Sequence, residues 1–127
     1  AAQEAVRAAL AEELGPWPVS GPGREAVRVA LADVDWQAAA RKRLERDAEA
    51  LAEVLAASEL APAGGAPLFQ WVPSARPEGV RDALARQGVW VRAFTDPGGL
   101  RFGLPAEEMG WQRLRRVVDS VRDGQNR

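Results

Sequence analysis

Residues 89–105, VWVRAFTDPGGLRFGLP, restrict the fold more than any other stretch of this chain. Two alternating runs flank the turn signal TDPGG, the pattern of paired strands with two distinct faces. In the first run Val89, Val91 and Ala93 share one face, and Trp90, Arg92 and Phe94 the other. In the second, Leu100, Phe102 and Leu104 lie opposite Arg101 and Gly103. Pairing Phe94 with Gly99 sets Ala93 against Leu100, Val91 against Phe102 and Val89 against Leu104, which gives one coherent apolar face. The same register puts Arg92 directly opposite Arg101 and Gly103 beside Trp90. Like charges directly opposite destabilise a sheet by a few tenths to ~1 kcal/mol. Such a pair suggests an anion held between the guanidiniums, which bind carboxylate and phosphate in a bidentate way. A slip of one residue instead sends the arginines to opposite faces, each meeting a carboxylate or solvent. Both readings stand on spacing alone.

The rest of the chain supplies helices for such a hairpin to pack on. Residues 2–14 have helical spacing, with Val6, Ala9, Leu10 and Leu14 near one face, and Gly15 and Pro16 stop them. GPWPVSGPG, 15–23, reads as an irregular extended connection because its three prolines fix φ and restrict their predecessors. A short helix over 23–32 turns Val27, Ala30 and Leu31 inward, and Asp33 or Asp35 caps the next. That helix, about 35–58, carries Ala38, Leu44, Ala48, Leu51 and Leu55 at 3- to 4-residue spacing, with RKRLERD as its solvated face. APAGGAP breaks the pattern. PLFQWVP, 67–73, is a strand bounded by prolines, and 76–88 is a helix with Pro77 in its first turn and Gly88 at its end. Pro105 leads into a last helix, about 106–122, with Glu107 and Glu108 in its first turn and Met109, Leu114, Val117, Val118 and Val121 as its buried stripe. The second half is thus β-α-β-β-α. We expect an α+β fold: a small three-stranded sheet packed with helices and preceded by two or three more. The division expected is lead-in helices and connecting loop over 1–34, and an α+β domain over 35–127.

Composition excludes several chemistries. A chain of 127 residues supports one domain with a modest core. Its 17 basic and 18 acidic residues leave a net charge of −1, so nothing points to nucleic acid or an anionic membrane. Cysteine is absent, which removes disulfides and a thiol nucleophile. Histidine is absent too, which removes the commonest general base and metal ligand. Ser20, Ser58, Ser74 and Ser120 therefore lack a partner for serine–histidine chemistry, and no carboxylate pair stands out by spacing. The five tryptophans read as core or interface anchors. No apolar run approaches transmembrane length and no signal peptide is visible, so a cytoplasmic location is expected. The first residue is Ala1, not Met, which suggests a fragment or a processed chain.

Six segments in order, GPWPVSGPG, ALADVDW, APLFQWV, GVWVRAF, GLRFGLP and EMGWQRL, carry a specific resemblance. The chain resembles the C-terminal part of cobalamin-pathway threonine-phosphate decarboxylases, pyridoxal-phosphate (PLP) enzymes of the aspartate-aminotransferase fold close to histidinol-phosphate aminotransferases. GPWPVSGP and LRFGLP are the discriminating parts, and Pro18 stands where the family pattern has a small residue. The resemblance implies a small C-terminal domain of an aminotransferase-type fold. It implies that Arg101 grips the substrate α-carboxylate and that Arg92 attends the phosphate end of a small phosphorylated amino acid. It also implies that Trp17, Ser20 and Gly21 belong to an active-site loop. PLP would be held in the complete enzyme, a homodimer, by a large domain missing here, which supplies the Schiff-base lysine. Lys42 lies on a polar helix face and does not replace that lysine. No cofactor is expected on this chain alone, and it is expected to be inactive alone. Two alternatives remain open: a histidinol-phosphate aminotransferase-like transaminase, and a standalone, non-catalytic α+β domain whose arginines take a small anion or a partner's carboxylate.

Overall fold

A computed structural model describes residues 2–58 and 60–125, with side chains over 3–58 and 60–120. The chain divides into two compact units, Ala1–Ala38 and Ala39–Arg127. The first holds α1 (Ala2–Leu14), α2 (Gly21–Ala32) and the start of α3 (Val34–Ala57). Helix α1 closes where the Gly15 N–H donates to the Ala11 carbonyl at 3.1 Å. Helix α2 starts two residues earlier than the apolar spacing predicts, because Ser20 caps it and a proline in the first turn has no N–H to lose. Asp33 caps α3: its Oδ1 accepts the Trp36 N–H at 2.9 Å. The Gln37 amide donates to the carbonyls of Ala30 and Leu31 at the end of α2.

The α2 face expected to turn inward, Val27, Ala30 and Leu31, does not, and the apolar face of α1 is exposed as well. Val6, Leu10, Leu14, Val27 and Leu31 are all more than half exposed, and no described residue of this unit is buried. Ala38 is exposed as well, and Leu44 only half-buried. Amphipathic spacing marks a face that gains from being covered; it does not specify the cover.

The second unit follows the β-α-β-β-α pattern with one addition. Its elements are the body of α3, β1 (Gly64–Ala66), β2 (Phe69–Pro73), α4 (Pro77–Ala85), β3 (Arg92–Thr95), β4 (Gly98–Gly103) and α5 (Glu108–Gln125). All strands are antiparallel, in the order β1-β2-β4-β3. The sheet has four strands, where three were expected, because part of APAGGAP forms β1. Glycine and alanine have low strand propensity and gave no strand signal. Backbone pairing to β2 makes the strand, through Gly64↔Trp71, Gly65↔Gln70 and Ala66↔Phe69. Any side chain at Gly65 would collide with the Gln70 amide and, at 2.6 Å, with the Phe69 carbonyl.

Strand β3 begins at Arg92, not at Val89. The Val89 N–H donates to the Leu84 carbonyl at 3.0 Å, so it completes the end of α4 and cannot join the ladder. From Arg92 the pairing is the register that joins Phe94 to Gly99: Arg92↔Arg101, Ala93↔Leu100, Phe94↔Gly99 and Thr95↔Gly98, closed by a turn at Asp96–Pro97 whose peptide bond is cis.

The sheet's inner face sends Val72, Leu100 and Phe102 into the core. Helix α3 adds Leu51 and Leu55, α4 adds Val80 and Leu84, and α5 adds Leu114, Val117 and Val118. Each such side chain contributes about 1.5–3 kcal/mol by leaving water. Met109, expected in the α5 stripe, is 68% exposed. It lies five residues before Leu114, about 140° around the helix from it. Val121, expected in the same stripe, lies outside the described side chains. The one buried polar side chain among the described residues is Ser58, whose hydroxyl donates to the Val54 carbonyl and pairs with Asp119 at 3.0 Å, tying α3 to α5.

Candidate anion-binding site

With helices covering one face, the other face of the sheet bears Phe69, Trp71 and Pro73 from β2, Gly99, Arg101 and Gly103 from β4, and Arg92 and Phe94 from β3. Trp71 lies across Gly99. A side chain at position 99 would overlap the indole ring and approach the Val72 carbonyl at 2.8 Å. The indole then meets Phe94 edge-on, with centroids 5.5 Å apart. This aromatic pair floors the turn end of the face.

The two arginines sit directly opposite each other, and their side chains lean apart. The Arg92 guanidinium stacks over Phe94, two residues along its own strand, at 4.8 Å. The Arg101 guanidinium stacks over Phe69, diagonally across on β2, at 5.4 Å. Each cation–π contact is worth about 0.5–1 kcal/mol at an exposed site, similar to the like-charge penalty of the pair. Aromatic seats therefore hold the guanidiniums without consuming their N–H donors. Among the described residues neither arginine has a carboxylate partner.

Beside them opens a concavity of about 430 Å³, lined by Arg81, Trp90, Val91, Arg92, Ala93, Arg101 and Gly103. Gly103 leaves its floor clear, with no atom within 4 Å of where a Cβ would stand. Arg81 comes from α4, and sequence spacing did not single it out. Its available signal is position: it follows Val80 on the flank of the buried stripe Pro77, Val80 and Leu84, where a long side chain runs along apolar surface and shows its head at the rim.

The loop residues named from sequence lie in the first unit. The Ser20 hydroxyl accepts the Gly23 N–H at 3.2 Å as the cap of α2, and Gly21 opens that helix. Trp17, between Pro16 and Pro18, is 91% exposed and has φ of 65°. A bulky residue in the left-handed region costs about 1–3 kcal/mol. Lys42 is exposed on α3 between Arg41 and Arg43. A Schiff-base lysine needs an enclosed position that lowers its proton affinity, so the residues present here do not fit PLP.

Fold and site together define an α+β unit whose sheet, on the face away from its own helices, carries a pair of facing arginines. No family model matches the chain. It is 45% identical over 106 residues to the threonine-phosphate decarboxylase of Pseudomonas aeruginosa, covering 84% of this chain and 32% of that protein. It is 37% identical over 114 residues to the threonine-phosphate decarboxylase of a Sinorhizobium species, covering 89% of this chain and 34% of that protein. The chain is thus homologous to a segment of threonine-phosphate decarboxylases, and it spans about a third of the length of these curated relatives. No helix among the described residues is long and apolar enough to cross a membrane.

Proposed function

We propose that this chain is the C-terminal, substrate-anion-binding part of a PLP-dependent decarboxylase acting on L-threonine O-3-phosphate in cobalamin biosynthesis. Residues 35–127 are its small domain and 1–34 the lead-in. The observation that carries the reading is the Arg92–Arg101 pair: two guanidiniums without carboxylate partners among the described residues, seated on aromatic rings beside an open concavity, in a chain 45% identical to a protein of that name. Arg101 holds the α-carboxylate and Arg92 the phosphate end, each by charge-assisted hydrogen bonds. Trp17, Ser20 and Gly21 are assigned to an active-site loop, a reading favoured by the strained, exposed backbone of Trp17. The cofactor, which serves as electron sink for loss of the carboxylate, and its lysine belong to a large domain outside this chain. The complete enzyme is read as a cytoplasmic homodimer.

The test is made on the complete enzyme. Arg101→Gln and Arg92→Gln should each lower kcat/KM for L-threonine O-3-phosphate about a hundredfold, the cost of stranding one partner of a desolvated charge pair. Decarboxylation should exceed transamination of histidinol phosphate in the wild type. Unchanged kcat/KM in both variants, or preference for the second substrate, overturns the assignment.

A further inference from the structure

We infer that Arg81 is a third anion-binding guanidinium, and that with Arg92 it forms a seat selecting phosphate over carboxylate; this rests on the proposed role of the arginine pair. Strand β3 is an edge of the sheet, with Arg92 on it and Arg101 one strand further in. Helix α4 packs mainly along β3, so Arg81 reaches the shared concavity from the Arg92 side. The three guanidiniums can then divide unequally, two near the edge and one inside.

The surroundings of Arg81 suit that task. Asp82 Oδ1 accepts from Arg81 Nε at 2.9 Å and lies 2.8 Å from Nη2. One carboxylate oxygen thus orients the fork from behind. A guanidinium has five N–H donors, so three remain when two are taken by Asp82. The side chain is 30% exposed, less free to swing than an ordinary surface arginine. Three guanidiniums and the single carboxylate of Asp82 leave a formal charge of about +2 around the concavity. A phosphate monoester carries about −1.5 to −2 at neutral pH; a carboxylate carries one negative charge and has two oxygens for two donors. The edge pair, with two forks, matches the larger charge and the three oxygens of phosphate. The lone inner arginine matches the carboxylate. The ligand class is therefore a small molecule with a phosphate at one end and a carboxylate at the other, bound in one orientation.

The test is a titration of the 127-residue protein with inorganic phosphate and, separately, acetate, followed by NMR of the arginine Nε–H signals and the Trp90 indole N–H. Phosphate should move the Arg81, Arg92 and Trp90 signals, and acetate those of Arg101. Arg81→Gln should weaken phosphate about tenfold, as expected from losing charge-assisted hydrogen bonds, and leave acetate unchanged. Arg81→Lys, which keeps charge but loses the fork, should recover part of that loss. Arg86→Gln, at the exposed end of α4, should change neither. If Arg81→Gln weakens phosphate and acetate equally, or weakens phosphate no more than Arg86→Gln does, the inference fails. If Arg92→Gln and Arg101→Gln also leave both anions unaffected, the underlying reading of the pair fails with it.

Discussion

Single residues set the shape of the arginine-bearing sheet face. Gly99 is glycine because the Trp71 indole and the Val72 carbonyl occupy the space a side chain would need. Gly99→Ala should destabilise the protein by about 1–3 kcal/mol, the cost of overpacking, and should perturb the near-UV circular dichroism of the Trp71–Phe94 pair. A chemical denaturation curve with an unchanged midpoint would refute this. Phe102 is 1% exposed at the centre of the core, and Phe102→Ala should cost about 3–5 kcal/mol in the same measurement. Lys42 is a residue whose chemistry the surroundings withhold. Adding PLP to this chain should give no absorbance band that disappears in Lys42→Ala. Of the candidate residues, Arg92 and Arg101 were legible because a two-residue period assigns faces without knowledge of the rest of the fold. Arg81 was not legible, because its importance comes from where α4 lies, and a helix's own spacing does not say that.

At the scale of elements, α2 and α3 follow their caps. Ser20 and Asp33 each accept a backbone N–H three residues on, at 3.2 and 2.9 Å. Ser20→Ala should cost about 1 kcal/mol of α2 stability, read as lost helicity by far-UV circular dichroism. Equal helicity in the variant would show that the cap is not what starts α2. Strands are less self-sufficient. β2 was recognisable from Phe69, Trp71 and Val72, and β4 from its alternation of Leu100 and Phe102 with Arg101 and Gly103, whereas β1, Gly64–Ala66, exists only because β2 offers a free edge. The start of β3 was misplaced for a related reason: the Val89 N–H is taken by the carbonyl of Leu84, and periodicity is blind to that competition.

For the whole molecule, the two units differ in what they bury. Among the described residues, all core side chains lie between Ala48 and Val118. A chain beginning at Ala39 should therefore keep a cooperative melt, with Tm within a few degrees of the full chain. The exposed Val6, Leu10, Leu14, Trp17, Val27 and Leu31 belong to the first unit, and apolar surface of this kind favours association. Sedimentation velocity should show concentration-dependent self-association of the 127-residue chain, reduced when it begins at Ala39. A monomer at all concentrations would count against that reading of the apolar faces.

Sequence alone determined the helices, the α+β class, the hairpin and its two arginines, because these depend on local period and on caps and turns within a few residues. Tertiary structure decided the rest. It chose the register that sets Arg92 against Arg101, recruited Gly64–Ala66 as a fourth strand, seated the two guanidiniums on Phe94 and Phe69, and brought Arg81 to their side. Each of these depends on which surfaces meet across the sheet, and that is a property of packing between distant segments, not of any one of them.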